Sequence, residues 1–195
     1  YAVELLLQFP EKHLIQQRHA AYFLSLVEKS EDHLRNPQQP FDLDRLERVY
    51  PDIRAALSYV LGADPSRALR FVTSLGHFWY FRSYYLEGKQ WHTKVLPLAQ
   101  TEEARFGIYR GLAGLCSAEG NLKEAKHYME QCLALSYVTK NTLQHAAALS
   151  NLAMLTAKLG GITKAKPRYE ELLALIETDD SPSAQSIKGT ALYNM

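Results

Sequence analysis

The chain has 195 residues, 22 lysines and arginines against 21 aspartates and glutamates, and is 47% apolar. A chain this long can bury about 70% of its unfolded surface, and 12 tyrosines and 7 phenylalanines beside Trp79 and Trp91 exclude a disordered protein. A net charge of +1 argues against direct contact with nucleic acid, and no apolar run approaches the roughly 18 residues of a membrane span.

Val3, Leu6 and Leu7 place an apolar helical segment at the very start, and the chain stops at Met195 inside another. It therefore reads as a piece of a longer polypeptide. Residues 12–34 predict a long helix whose apolar side is Ile15, His19, Tyr22, Phe23, Leu26, Val27 and Leu34. Two prolines and an asparagine in residues 35–40 end it. A short helix is predicted from Asp42 to Tyr50, where Asp42, Asp44 and Glu47 form a solvated capping cluster. Pro51 fits the first turn of the next helix, which stops at Gly62, and Asp64-Pro65 opens another in the same way. Residues 1–62 thus form an N-terminal helical region linked to an upstream module, followed by repeats over 63–195.

Those repeats cover about 66–102, 106–139 and 146–179, with a truncated copy from 186. Each pairs a large residue with a small one on its first helix (Leu75-Gly76, Leu112-Ala113, Leu152-Ala153). Each carries a small residue on its second helix (Gly88, Ala125, Ala165), then His92, Met129 or Tyr169 four positions on. The small residue suits a crossing at about 8–10 Å, and the residue after it fills the adjoining groove. Gly120 and Gly160 are placed to end first helices with positive φ. Ala191-Leu192-Tyr193-Asn194-Met195 echoes Ala148-Leu149-Ser150-Asn151-Leu152, and successive offsets are 37, 40 and 43 residues. A period in this range with two helices per unit predicts an all-α fold, a helical solenoid.

These slots resemble the tetratricopeptide repeat, which implies a right-handed superhelical stack of antiparallel helix hairpins. The units are longer than that family's, which places the extra residues in inter-repeat loops such as 137–142, and Pro167 departs from the pattern. A second resemblance covers residues 1–100. Gln17-Arg18-His19-Ala20-Ala21-Tyr22-Phe23, Leu43-Asp44-Arg45-Leu46-Glu47, Asp52-Ile53-Arg54-Ala55-Ala56-Leu57 and Phe78-Trp79-Tyr80 look like the helical region of bacterial AfsR-like and LuxR-type regulators. Those belong to the STAND class of signal-transduction ATPases. The resemblance implies a sensor module for transcription regulation whose upstream partner is the protein's own ATPase.

No nucleotide-binding loop, paired metal-ligand motif or nucleophile elbow is present, and no two of the seven histidines stand at helical spacing. The chain is expected to be non-catalytic, with no cofactor. Cys116 and Cys132 are too few for a disulfide scaffold and read as buried hydrophobes in a reducing cytoplasm. The run His77-Phe78-Trp79-Tyr80-Phe81 is the densest feature; five successive rings at about 100° each wrap roughly 400° of helix, so not all can be core. Phe78 and Trp79 fall inward, leaving His77, Tyr80 and Phe81 for the concave wall.

The next wall helix offers the small-residue stripe Gly107, Gly111, Gly114 and Ala118 beside Arg110 and Ser117, and the third offers Ala147, Ser150, Met154 and Lys158. The expected site is a groove with an aromatic end (His77, Tyr80, Phe81), a small-residue floor (Gly114, Ser117, Ser150, Met154) and isolated cations (Arg110, Lys158). Its partner would be an extended protein or peptide segment, or a small acidic ligand. The alternative is a tetratricopeptide scaffold or adaptor for protein–protein interaction without an ATPase switch.

Overall fold

The computed structural model describes residues 11–34 and 40–195. Val3, Leu6 and Leu7 lie outside the described residues, as does most of the predicted break, at 35–39. Among the described residues there are ten α-helices, one short 3₁₀ turn and no strand. The chain divides into two compact units, Tyr1–Tyr84 and Tyr85–Met195.

The first unit contains α1 (Lys12–Leu34), α2 (Pro40–Arg48), α3 (Tyr50–Ala63) and α4 (Pro65–Phe81). Helix α1 packs on both α3 and α4. Its buried residues are Ala20, Phe23, Leu24, Leu26, Val27 and Ser30, whereas Ile15 and Tyr22 are exposed. Phe23, Leu26 and Val27 lie inward as predicted, and Leu24 joins them with the small Ala20 and Ser30, which a count of large apolar residues passes over. Asp64 joins α3 to α4 in a single residue: its N–H donates to the Val60 carbonyl at 2.8 Å and its side chain accepts from the Arg67 N–H at 3.0 Å. Pro65 starts α4 where a missing N–H costs nothing.

The carboxylates of α2 are only in part the solvated cluster the sequence suggested: Asp44 is exposed and Glu47 half-buried. Asp42 is buried. Asp44 and Glu47 hold the guanidinium of Arg82, just past the end of α4. The Tyr84 hydroxyl donates to Glu47 Oε1 at 2.5 Å, and this bond, with burial, raises the phenol above its ordinary range. Beneath them Trp79 Nε1 donates to the Tyr50 hydroxyl at 2.5 Å, and the Tyr50 and Tyr84 rings stack at 5.5 Å.

The second unit contains α5 (Tyr85–Val95), a 3₁₀ turn (Leu96–Leu98), α6 (Glu102–Glu119), α7 (Leu122–Thr139), α8 (Thr142–Gly160), α9 (Ile162–Leu175) and α10 (Pro182–Asn194). Consecutive helices pack on each other from α5 to α10, and α10 also rests on α8. The repeat slots are interior: Ala125 and Ala165 are fully buried, and so, to within a few per cent, are His92, Met129 and Tyr169. Phe106, Ala113 and Cys116 of α6 share one core with Met129 and Cys132 of α7 and Leu152 and Leu155 of α8. A second core joins Leu149 and Ala153 of α8 to Tyr169 and Leu172 of α9 and to Ala184 and Ala191 of α10. Helix α8 is therefore apolar on two sides.

Two sequence expectations need correction. Gly120 does end α6 in the left-handed region at φ 92°, but at the end of α8 it is Gly161, at φ 87°, that turns the chain, and Gly160 is still helical. The extra residues of the repeat do not form a long loop at 137–142. Helix α7 runs on to Thr139, Lys140 turns the chain at φ 53°, and Asn141 caps α8 by accepting from the Gln144 N–H at 3.0 Å. The longer period lies in longer helices, joined by two residues. Pro167 is accommodated inside α9, which continues past it to Leu175.

Candidate functional site

The residues singled out from the sequence fall in both units. In the first, Tyr80 and Phe81 are exposed at 47% and 44% and meet edge to face at 5.3 Å. His77 is half-buried, its ring 6.5 Å from that of Phe81, while Phe78 and Trp79 are wholly buried.

In the second unit, Arg110, Gly114 and Ser117 stand on one stripe of α6, at spacings of four and three. Arg110 and Gly114 are exposed, and a β-carbon built on Gly114 would meet nothing within 4 Å. Gly111, three residues earlier, is different. A β-carbon there would stand 2.1 Å from His92 Nε2, so this glycine seats the buried imidazole of α5. The small-residue stripe thus splits into a packing position at Gly111 and an open one at Gly114.

On α8 the outward stripe is Ala147, Asn151, Met154 and Lys158, spaced four, three and four. Ser150 is buried at 8% and presents little to a ligand. Asn151, half-buried with Nδ2 donating to the Ala147 carbonyl at 2.9 Å, holds the outward position between Ala147 and Met154. The helical spacing from Lys158 would have found it. Neither Arg110 nor Lys158 makes an ion pair among the described residues. Glu103, further back on the α6 stripe, is the acidic member of this face.

A cavity of about 360 Å³ opens on the other side of α6, between Lys89, Thr93 and Lys94 of α5 and Glu124 and Tyr128 of α7, over Leu112. Its charges are mostly engaged within the unit. Lys89 pairs with Glu119, which raises the ammonium's pKa. Glu124 accepts from Asn121 Nδ2 at 2.7 Å and from the Tyr128 hydroxyl at 3.4 Å. Lys94 Nζ stands 4.5 Å over the Trp91 ring.

Both cysteines are free and buried. Burial pushes each thiol up to about 12, helped at Cys116 by the neighbouring Glu124 carboxylate, so neither forms a nucleophilic thiolate at neutral pH. His92 is held neutral by burial, its pKa lowered to about 4, and Nδ1 donates to the Gly88 carbonyl at 2.7 Å. No three potential metal-ligating side chains cluster among the described residues, and none of the described helices is long and apolar enough to cross a membrane.

No protein-family model and no curated protein sequence matches the chain. Solved structures do match. Two crystal structures of a kinesin-light-chain-like protein of Podosopora anserina, built of nearly identical TPR-like repeats, superpose with TM-scores of 0.68 and 0.67 at 16% identity, covering 90% of this chain and 86% of that one. BtubC (BKLC) from P. vanneervenii superposes with a TM-score of 0.61 at 21% identity, covering 77% of this chain and 66% of that one. The fold is that of a TPR-like helical repeat, as the slots of α6 to α9 led one to expect.

Proposed function

We propose that this chain is a non-catalytic interaction scaffold that binds an extended polypeptide rich in acidic residues along the outward stripes of α6 and α8. The observation that carries this reading is the pair of cations, Arg110 and Lys158, which make no ion pair among the described residues. Arg110 stands one turn from Gly114 on α6, where the backbone is left open, and Lys158 closes the outward stripe of α8. Carboxylates of an extended segment would meet the two cations, and Gly114 would let its backbone approach. The TPR-like fold supports the same reading, since packed hairpins leave the first helix of each pair with one side uncovered. Two free thiols fit a reducing compartment such as the cytoplasm.

The test is direct binding of acidic peptides selected by display. Arg110→Glu with Lys158→Glu should abolish binding without loss of fold, and wild-type affinity should fall steeply with salt. Gly114→Leu should block binding sterically. Salt-independent binding untouched by all three changes would refute the reading.

The finer reading makes the chain the sensor of a STAND-class ATPase, and rests on the phrases of residues 1–100. It uses the same face but needs an upstream switch with two states of different affinity for the ligand. A nucleotide-binding loop encoded upstream in the same gene would support it, and its absence would leave the scaffold reading standing.

A further inference from the structure

The turn between α7 and α8 borders a cavity of about 240 Å³ whose walls include Tyr137, Lys140, His145 and Leu175 of α9. At its base Ser136 and His145 form a buried pair, 1% and 8% exposed. Ser136 Oγ lies 2.6 Å from the Leu133 carbonyl oxygen, which can only accept, so the hydroxyl proton is committed there. His145 Nδ1, 2.9 Å from the same Oγ, must then be the donor. This proton count fixes the tautomer and has two consequences.

First, Ser136 is not an activated nucleophile, because a general base would have to accept its proton rather than donate to it. Second, Nε2 of His145 is left as a bare acceptor. It has no hydrogen-bond partner among the described residues, and its ring lines the cavity. The remaining walls are mainly apolar. The Tyr137 ring meets the His145 ring edge-on at 4.3 Å, and Tyr137 and Leu175 are exposed at 60% and 40%. An apolar group filling this space would strip water from Nε2 without replacing it, whereas a ring with one N–H or O–H would satisfy it.

We propose that this cavity binds an aromatic ring carrying a single hydrogen-bond donor, an indole or a phenol, with the donor on His145 Nε2 and the ring against Tyr137. The site lies apart from the Arg110 and Gly114 face of α6 and does not depend on the function proposed above. The same chemistry could be presented by a tryptophan or tyrosine of a bound polypeptide or by a free small aromatic molecule.

Titration of the 195-residue chain with indole, 1-methylindole and N-acetyl-tryptophanamide, followed by amide NMR, tests it. Indole should shift the amides of residues 136–145, and 1-methylindole, which lacks the donor, should bind about fivefold more weakly or worse. The variant His145→Asn keeps an amide donor near the Nδ1 position for Ser136 but has no atom at Nε2, so it should erase the preference for indole. Should that variant fail to fold, Tyr137→Ala, at an exposed position, should weaken indole and 1-methylindole alike. Binding of N-acetyl-tryptophanamide as tight as that of indole supports a polypeptide source, and binding of indole alone supports a small-molecule source. Equal affinity for indole and 1-methylindole, or no shift at 136–145 with indole, overturns the proposal.

Discussion

The imidazole of His92 on α5 lies directly over the backbone of Gly111 on α6, so that a β-carbon on the glycine would stand 2.1 Å from Nε2. The ring cannot retreat cheaply, since it is buried and its Nδ1 bonds the Gly88 carbonyl at 2.7 Å. Gly111→Ala should therefore destabilise the protein by about 1–2 kcal/mol, the overlap outweighing the roughly 1 kcal/mol that alanine gains in a helix. Urea denaturation measures it, and pairing the change with His92→Ala should recover much of the loss.

Gly114 sits three residues further along the same helix and should behave in the opposite sense. With nothing within 4 Å of a built β-carbon, Gly114→Ala meets no obstacle and should raise stability by up to about 1 kcal/mol. A loss of stability would mean that this side of α6 is covered.

His92 also gives the fold a pH dependence of definite sign. Its pKa is lowered to about 4 in the native state from an ordinary 6.5, so between these values the unfolded chain binds more protons than the folded one. Stability is then intact above pH 6.5 and falls as pH drops toward 4, by about 1.4 kcal/mol per unit at most and roughly 3 kcal/mol in all. Six other histidines titrate in the unfolded chain, so the measurement is a difference. His92→Met, which installs the residue found at the equivalent slot 129, should show a shallower decline over this range.

Tyr169 fills the corresponding slot of the next hairpin and is fully buried, but its hydroxyl has no hydrogen-bond partner among the described residues. Removing an unpaired buried hydroxyl relieves a desolvation cost. Tyr169→Phe should leave thermal stability unchanged or raise it by up to about 1 kcal/mol. A drop of that size would reveal a partner for the oxygen.

Legibility in the sequence followed the scale of the interaction. The hairpins could be read because Ala125, Ala165, Leu112 and Leu152 recur at spacings that only close helix contact demands. Properties set by one or two atoms could not. Whether the residues at 137–142 form a loop or extend α7 depends on Lys140 taking a left-handed conformation, which lysine does not advertise. Helical spacing could have separated Ser150 from Asn151, one buried and one on the outward stripe, had it been counted from Lys158 rather than from the repeat alignment. The role of Gly111 depends on a histidine nineteen positions away, on another helix. Likewise, the carboxylates of α2 look like a solvated cap until Arg82 and Tyr84 are brought to them by the fold.

Helix α8 supplies Leu152 and Leu155 to one core and Leu149 and Ala153 to the other. Losing α8 would open both layers at once, whereas the outer edge of the second layer can loosen while α8 still holds. Amide protons at the centre of α8 should accordingly exchange with solvent more slowly than those of α10, which is anchored through the small side chains of Ala184 and Ala191. In mechanical terms α8 is the keystone, and loosening would travel inward from α10 before reaching it.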